Sequence, residues 1–295
     1  MRKILPLLLI LVLLVGCTVQ PPEATAPTAA AEDLLIVHFI DVGQADCMLL
    51  SCGDQYMLID GGNTADGLTV RNYLRQIGVD KLDLMVATHP HEDHIGGLPT
   101  VLHDFETDMI WTTVITYSNY TIQNFLDTAA KKDVPVVRPI GGTTFMLGSA
   151  LVTVLGPIST DYEDVNNFSL VLMVEFEDTR FLFTGDMEIE AEGDMLNFWG
   201  EDFDWKCDVL KAGHHGSYSS SGYRLLREVD PTWAVISCGY QNDYGHPHDS
   251  TLSRFRDAEV TLFRLDLMST VVALSNGQTV SFAWTNGSYT PAVPQ

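Results

Sequence analysis

The segment from Leu82 to Gly97, LDLMVATHPHEDHIGG, joins an apolar stretch to a dense group of imidazoles and carboxylates. The apolar part has the composition of a buried strand, and the second part carries His89, His91, Asp93 and His94. An extended backbone places His89 and His91 on one side, because alternate residues of a strand share a face. Imidazole and carboxylate are common ligands of Zn²⁺ and similar divalent ions. The segment therefore predicts a strand that ends in a metal-binding loop.

Three further polar groups follow apolar stretches later in the chain. Asp186 comes after RFLF, the pair His214 and His215 comes after CDVLKA, and His246 follows TWAVISCG and a short loop. Loops at strand ends are where a rigid sheet can present several side chains to one cleft. We therefore expect these residues to lie near the HPHEDH segment.

The rest of the chain alternates between short apolar runs and segments of helical periodicity. LLIVHFIDV, CMLLSCG and QYMLIDGG predict three consecutive strands, and Val70, Tyr73, Leu74 and Ile77 have a helical spacing that Gly78 ends. Residues 119–132 predict a second helix, and the second half repeats this mixture. The pattern favours an α/β (α+β) fold with two mixed sheets face to face and helices outside.

The first residues have a different character from this domain. MRKILPLLLILVLLVGC has a basic start and a short apolar run before Gly16 and Cys17, which is the shape of a signal peptide. Leu14 to Cys17 resembles a bacterial lipoprotein cleavage box. We expect a signal peptide at 1–16, a lipid on Cys17 with a Pro/Ala/Thr linker to residue 33, a domain at 34–285 and a tail at 286–295. A plain signal peptide or an uncleaved anchor is the alternative, and each places the domain outside the cytoplasm at the bacterial membrane.

The net charge of -23, from 16 basic and 39 acidic residues, limits the partners of this domain. Such a surface repels phosphate backbones and anionic lipids at long range, although a local metal-lined site can still bind an anion. Four cysteines follow Cys17. Cys47, Cys207 and Cys238 stand in apolar runs and are expected to be buried thiols. A disulfide between Cys207 and Cys238 is the alternative.

Several motifs resemble one family specifically. THPHEDHIGG resembles the signature of the metallo-β-lactamase superfamily. FIDVGQADCMLL, MLIDGG, FLFTGD, DVLKAGHHGSYSSS and YGHPH follow in the order of the hydrolase domain of ComEC-type competence proteins, from about Leu34 to Trp284. The resemblance implies an αββα sandwich with a two-metal cleft at one edge. With no membrane-spanning bundle in the sequence, the chain is expected to be the hydrolase module alone, and a monomer.

The resemblance also implies a ligand set for two divalent ions, Zn²⁺ or Mn²⁺. His89 and His91 would bind one ion, Asp93 and His94 the other, Asp186 would contact both, and His214 would complete the second site. His215 is the alternative to His214, and it could instead contact phosphate.

Further residues are implied around these ligands. Asp60 and Asp41 would orient them through hydrogen bonds, although each could simply initiate a turn. His246 would donate a proton or a hydrogen bond to substrate, or be an ordinary loop histidine. Asp93 and His215 are further catalytic candidates, and Ser217 and Asn167 are candidate substrate contacts.

The chain departs from the better-known enzymes of the superfamily in one place. They have another histidine ahead of the strand that ends in GD, whereas this chain reads EDVNNFSLVL there. The competence-type branch shares this feature. The ion held by His89 and His91 would then have fewer protein ligands and be the more weakly bound. A smaller departure is Ala45 in GQAD, where the branch has glycine.

The implied function is metal-dependent hydrolysis of a phosphodiester outside the cytoplasm, with a hydroxide shared by two ions as the nucleophile. DNA is the substrate that the resemblance suggests, so the enzyme could be a nuclease. A small cell-wall or lipid-headgroup phosphodiester suits the acidic charge equally well. A lipoprotein that binds metal or ligand without turnover is the alternative from another class, and β-lactam hydrolysis is disfavoured by the missing histidine.

Overall fold

The computed structural model describes residues 34–113 and 119–284. The strands in these ranges are β1 (Leu35–Phe39), β2 (Met48–Cys52), β3 (Gln55–Ile59), β4 (Lys81–Leu82), β5 (Leu84–Ala87), β6 (Glu106–Thr107), β7 (Ile110–Thr112), β8 (Val136–Val137), β9 (Thr144–Leu147), β10 (Ala150–Gly156), β11 (Val171–Phe176), β12 (Thr179–Phe183), β13 (Val209–Lys211), β14 (Trp233–Ile236), β15 (Thr261–Arg264), β16 (Val271–Ser275) and β17 (Val280–Trp284). The helices are α1 (Gly67–Ile77), α2 (Glu92–Ile95), α3 (Leu98–Asp104), α4 (Tyr120–Lys131), α5 (Ile189–Trp199), α6 (Tyr223–Val229), α7 (Asp249–Asp257) and α8 (Leu265–Met268).

The described strands form two large mixed sheets and a small β4–β6 pair. The first sheet has the order β17-β16-β1-β2-β3-β5-β7-β8, and the second has the order β15-β14-β13-β12-β11-β10-β9. In the first sheet β1, β2 and β3 are antiparallel and β3, β5, β7 and β8 are parallel. In the second sheet the strands from β9 to β12 are antiparallel and those from β12 to β15 are parallel.

A central core lies between the two sheets, because successive side chains of a strand point to opposite faces. Val37 and Phe39 of β1 meet Phe181 and Phe183 of β12 there, and the rings of Phe39 and Phe183 stack with centroids 6.1 Å apart. Burial of such large apolar side chains is the main stabilising contribution to a sandwich of this kind.

Two outer cores attach the helices to the free faces of the sheets. Leu49 and Leu58 pack with residues of α1, α3 and α4 on one side, and Leu182 and Leu210 pack with residues of α5, α6 and α7 on the other. The layers are therefore helix, sheet, sheet and helix, which confirms the predicted αββα sandwich. The three predicted N-terminal strands and the helices around 70–77 and 119–132 are also confirmed, as β1 to β3, α1 and α4.

The polar groups identified in the sequence follow parallel strands of both sheets. Asp60 follows β3, His89 follows β5, Asp186 follows β12 and His214 follows β13. Parallel strands present their carboxyl ends at one edge, which is where α/β proteins usually bind ligands. The fold thus brings segments that are far apart in the sequence to a common edge.

Three sequence predictions concern the ends and the cysteines. The expected signal peptide, Cys17 and its linker, and the C-terminal tail lie outside the described residues. Cys47, Cys52, Cys207 and Cys238 are buried free thiols, so the preference for thiols is confirmed and the Cys207–Cys238 bridge is not formed. Within the described ranges, every helix is too short or too polar to cross a bilayer.

Glycines after β3 and after the HPHEDH segment hold that segment against the end of β3. Gly61 N–H donates to the carbonyl of His94 at 2.7 Å, and Gly97 N–H donates to the carbonyl of Gly62 at 3.0 Å. A Cβ on Gly97 would collide with the backbone oxygen of Gly61. Only glycine therefore permits this backbone approach, which sets where α2 lies.

We expect Gly97→Ala to destabilise the protein by about 1–3 kcal/mol, because backbone atoms must shift to relieve the collision. Gly193→Ala in α5 is the matched control, since its Cβ would come no closer than 4.0 Å to Arg224. Alanine is the better helix former, so this control should be neutral or stabilising by up to about 1 kcal/mol. Urea unfolding of both variants is the measurement, and equal stabilities would contradict the account.

Candidate metal centre

The HPHEDH segment changes from extended to helical backbone between two of its candidate ligands. β5 ends at Ala87, His91 is still extended with φ -71° and ψ 151°, and α2 begins at Glu92. His89 therefore leaves the end of a strand, whereas Asp93 and His94 lie on the first turn of a helix. This change directs four side chains from six consecutive residues to one place.

Asp186 lies where these segments meet and is only 2% exposed. Its Oδ2 atom lies within 4 Å of the Nε2 atoms of four histidines: 3.2 Å from His94, 3.5 Å from His215, 3.8 Å from His214 and 3.9 Å from His89. Burial alone would raise the pKa of Asp186, but His94 and His215 hold it well below its ordinary value. The site is therefore built around one buried carboxylate.

A compact group within this arrangement could hold a metal ion. One ligand atom from each of Asp93, His94, Asp186 and His215 lies within 4.8 Å of all the others. His94 Nε2 and Asp186 Oδ1 are buried without a hydrogen-bond partner, although buried polar atoms usually have one. Two carboxylates and two imidazoles with such atoms directed inward fit a divalent cation.

Asp60 contacts the ring of His94 in this group, and its expected role in orienting a ligand stays a prediction. Its Oδ2 atom lies 2.8 Å from His94 Nδ1, and its two oxygens accept hydrogen bonds from the N–H and the hydroxyl of Thr88. Because Nδ1–H donates to Asp60, Nε2, the atom that faces Asp186, is the ring nitrogen through which His94 would bind a metal ion.

The two adjacent histidines after β13 have different surroundings. His214 and His215 both have left-handed backbone, with φ 46° and 52°, which turns two neighbouring side chains in different directions. His215 Nε2 lies 3.2 Å from Asp93 Oδ2, whereas His214 Nδ1 lies 3.3 Å from Glu188 Oε1 and close to Ser219. The geometry favours His215 as the ligand, and the sequence-based choice of His214 stays a prediction.

The first predicted site is less complete than this group. His89 Nε2 lies 3.1 Å from His91 Nδ1, and His89 Nδ1 lies 3.4 Å from the hydroxyl of Ser169. Ser169 belongs to the segment EDVNNFSLVL, which lacks the histidine noted in the sequence analysis, and its hydroxyl accepts from the N–H of Asp186. That this site holds its ion more weakly stays a prediction.

Three predicted residues lie apart from the ligands. Asp41 accepts a hydrogen bond from Gly43 N–H in its own turn, and both polar atoms of the Asn167 side chain bond to Glu188 and Glu190. The Ser217 hydroxyl is buried against Ser219. The structure does not bring Asp41 to a ligand, nor Asn167 and Ser217 to the cleft, because local hydrogen bonds hold their polar atoms.

Asp46 and Lys211 were not identified from the sequence and form a fully buried ion pair behind His215. Lys211 Nζ lies 2.8 Å from Asp46 Oδ2, and His215 Nδ1 lies 3.4 Å from Asp46 Oδ1 and 3.0 Å from the carbonyl of Ser237. Burial opposes ionisation of Asp46, but Lys211 and His215 lower its pKa to about 2. The pair therefore fixes the ring of His215 on the side away from the ligand group.

The ligand group opens into a cleft of about 620 Å³, lined by Gln44, Asn63, His91, Glu92, Asp93, Asn119, Asp186, His214, His215, Tyr244 and His246. The side chain of Gln44, in the loop after β1, makes hydrogen bonds here to the segment after β14. Its Oε1 accepts from Gly239 N–H at 3.1 Å, and its Nε2 lies 3.3 Å from His246 Nδ1. The Gly239 N–H fixes the orientation of the amide, so Gln44 donates to His246 and leaves the ring hydrogen on Nε2.

We expect Lys211→Met to destabilise the protein by about 3–5 kcal/mol, because it leaves the buried Asp46 charge without its partner. Lys206→Met is the matched control, since Lys206 pairs with Asp230 at 3.1 Å on the exposed surface. An exposed pair of this kind contributes about 0–1 kcal/mol. Thermal or urea unfolding distinguishes them, and a Lys211→Met protein as stable as the control would refute the role of the pair.

Comparison with known proteins agrees with this fold. A family model described as the metallo-beta-lactamase superfamily matches residues 40–240. The chain is 29% identical over 253 residues to ComE operon protein 3 of Bacillus subtilis (strain 168), covering 80% of this chain and 32% of that protein. It is 30% identical over 256 residues to competence protein ComA of Neisseria gonorrhoeae, covering 86% and 34%. The chain thus spans about a third of the length of these curated relatives.

A solved structure shows the same architecture at low sequence identity. The metallo-beta-lactamase fold protein YhfI from Bacillus subtilis superposes with a TM-score of 0.58 at 14% identity, covering 82% of this chain and 100% of YhfI. This likeness concerns the fold alone. Because the family model spans well over half of the chain and the ligand segments lie within it, the chain belongs to the metallo-beta-lactamase superfamily.

Proposed function

We propose that this protein is an extracytoplasmic, lipid-anchored phosphodiesterase that depends on divalent metal ions. The observation that carries the proposal is the convergence of four imidazole Nε2 atoms on the buried Oδ2 atom of Asp186. The superfamily and the competence-protein relatives support hydrolysis of a phosphodiester, and the sequence before residue 18 supports the anchor.

Asp93, His94, Asp186 and His215 would hold the tighter ion, and His89 and His91 would hold a second ion with Asp186. Bound Zn²⁺ or Mn²⁺ would supply Lewis acidity and lower the pKa of water. The chain orients these ligands from behind: Asp60 fixes the tautomer of His94, and Asp46 fixes the ring of His215. Such outer hydrogen bonds commonly change metal affinity or activity by about 10–100-fold when they are removed.

His246 would bind a phosphoryl oxygen or the leaving-group oxygen through its Nε2–H. Its tautomer is set by Gln44, which donates to Nδ1, and its ring lies 5.6 Å from that of His214 across the cleft. A donor held in a fixed position can stabilise charge that develops on oxygen without first reorganising. Gln44 is therefore a positioning residue in the proposal, and His246 acts on substrate.

A protein that binds metal and ligand without turnover is the second candidate. The compact four-residue group favours it, since a single ion held there would be a structural or binding site. The number of bound ions therefore separates the two candidates: two ions favour the hydrolase, and one ion favours the binding protein.

We expect His215→Ala to lose the tighter ion and His214→Ala to keep it, because only His215 belongs to the compact group. The measurement is metal content by inductively coupled plasma mass spectrometry after loading with Zn²⁺ or Mn²⁺ and dialysis. Loss of the ion in the His214→Ala protein, with retention in the His215→Ala protein, would reverse the assignment. Circular dichroism of both variants checks that each is folded.

We expect the metal-loaded full-length protein to hydrolyse bis-p-nitrophenyl phosphate and to lose this activity with a chelator. Asp186→Asn should lower kcat/KM by at least about 100-fold, and His246→Ala should lower kcat by about 10²-fold or more, as is typical of a positioned proton or hydrogen-bond donor. His103→Ala, which changes an exposed histidine on α3, should leave the activity unchanged. Activity that survives both the chelator and Asp186→Asn would exclude the proposed mechanism.

A further inference from the structure

Two buried charged side chains, Glu192 on α5 and Arg254 on α7, hold the backbone of the segment Tyr218–Gly222. Glu192 accepts hydrogen bonds from the last two N–H groups of this segment at 2.6 and 2.9 Å. Arg254 donates at 2.7 to 3.0 Å to the carbonyl oxygens of Tyr218, Ser220 and Ser221. The two side chains are only 3% and 9% exposed. An acidic group thus binds the donors, and a basic group the acceptors, of the same few peptide units.

This segment and α7 support both ends of the turn that carries the two adjacent histidines. The N–H of Gly213, at the start of the turn, donates to the hydroxyl of Ser221 at 3.1 Å. The N–H of Ser217, at the end of the turn, donates to the carbonyl of His214 at 2.7 Å, and the carbonyl of Ser217 accepts from the hydroxyl of Thr251 on α7 at 2.8 Å. The position of the turn therefore depends on these surrounding contacts.

The turn needs this support because its backbone is strained. His214, His215 and Ser221 have positive φ angles of 46°, 52° and 54°, a region that residues with a Cβ adopt only at a cost in folding free energy. Such conformations persist where the surrounding structure over-determines them. Without the contacts of Glu192 or Arg254, we expect the turn to relax and the Nε2 atom of His215 to move away from the ligand group.

Glu192 also connects the histidine turn to the segment that carries Asp186. α5 begins soon after Asp186, and the N–H of its first residue, Ile189, donates to the carbonyl of Ser219 at 2.8 Å. Glu192 lies about one helical turn further along α5, so this helix holds the serine-rich segment at two points. A change at Glu192 should therefore alter the 3.5 Å distance between His215 Nε2 and Asp186 Oδ2.

We infer that Glu192 and Arg254 are positioning residues of the metal centre, which hold the histidine turn so that His215 reaches the tighter ion. The inference rests on the metal site of the proposed function, but it does not require that the protein hydrolyse a phosphodiester. Neither side chain belongs to the described residues that line the cleft. Their effect on a bound ion must therefore pass through the backbone that they hold.

Cobalt binding by the full-length protein tests the inference, because the visible absorption of Co²⁺ responds to the number and geometry of its ligands. Glu192→Gln places an amide NH₂ group opposite a backbone N–H, and Arg254→Met removes the donors to the three carbonyls. Each variant should weaken the tighter Co²⁺ site by about tenfold or more, as is usual for groups that orient a ligand, and change its spectrum toward that of His215→Ala. Titration at about pH 8 favours the charged form of Glu192, because burial raises its pKa to about 7, although the two N–H partners and Arg254 oppose that rise.

Matched variants separate positioning from a general loss of stability. Glu201→Gln, just after α5, and Arg256→Met, on α7, change exposed side chains and should leave the Co²⁺ affinity and spectrum as they are. Val37→Ala creates a cavity in the central core, so it should lower the stability but leave the Co²⁺ site of the folded protein unchanged. Unchanged Co²⁺ binding in folded Glu192→Gln and Arg254→Met proteins would overturn the inference, and so would an equal loss in Val37→Ala.

A milder variant decides the matter if the loss of a buried charge prevents folding. Thr251→Val keeps the shape of the side chain but removes the hydroxyl, which donates to the carbonyl of Ser217 and accepts from Arg254 at 3.1 Å. It should weaken the Co²⁺ site by about threefold or more, given the usual net contribution of a hydrogen bond. If the two charge variants do not fold, unchanged Co²⁺ binding by the Thr251→Val protein would overturn the inference.

Assay of the same proteins with bis-p-nitrophenyl phosphate separates this inference from the proposed function. Weaker Co²⁺ binding by the variants, with no turnover by the unchanged protein loaded with Zn²⁺, Mn²⁺ or Co²⁺, would support the inference and refute the phosphodiesterase. Turnover by the unchanged protein, with Co²⁺ binding that the variants do not alter, would overturn the inference alone. Failure of the unchanged protein to bind Co²⁺, Zn²⁺ or Mn²⁺ would refute both.

Discussion

The buried carboxylate of Asp186 is the interaction on which the rest of the site depends. A carboxylate removed from water is costly unless other charges or hydrogen bonds compensate it. Here the compensation comes from His94 on α2 and His215 in the segment after β13, which belong to the two halves of the sandwich. The site is thus an electrostatic link between the two sheets, and a divalent cation suits it better than a set of neutral hydrogen bonds would.

The fold holds the segments that carry these side chains in fixed positions. Both sheets direct the carboxyl ends of parallel strands to one edge, and the glycine contacts between the ends of β3 and α2 fix the short helix that carries Asp93 and His94. Behind the ligands, Asp60 and the Asp46–Lys211 pair hold two of the rings from the side away from the cleft. The proposed substrate contact His246, in contrast, lies at the end of the loop from Gly239 to His246.

Much of this arrangement could be predicted from the sequence. Apolar runs, their turns and the helical spacing around Val70 indicate the sandwich, and the HPHEDH segment indicates the candidate metal centre, because such patterns reflect local geometry. The choice between His214 and His215 depends on the left-handed backbone of both residues. The identity of the two side chains does not predict that conformation. Lys211 is the last residue of β13, and a single lysine in a strand usually predicts a side chain on the exposed face. Its burial against Asp46 depends on the tertiary fold. Asp41, Asn167 and Ser217 are polar residues in or near the motifs, which is why the sequence suggests them, yet local hydrogen bonds occupy their polar atoms.

The central claim is that Asp93, His94, Asp186 and His215 together form the tighter ion site. The most direct measurement is a crystal structure of the Mn²⁺-loaded protein with the ion located by anomalous scattering. The account predicts the strongest anomalous peak in contact with Asp186 Oδ2 and His94 Nε2, with His215 as a ligand and His214 bonded to Glu188. A strongest peak ligated by His214, or one held by His89 and His91 without His94, would contradict it.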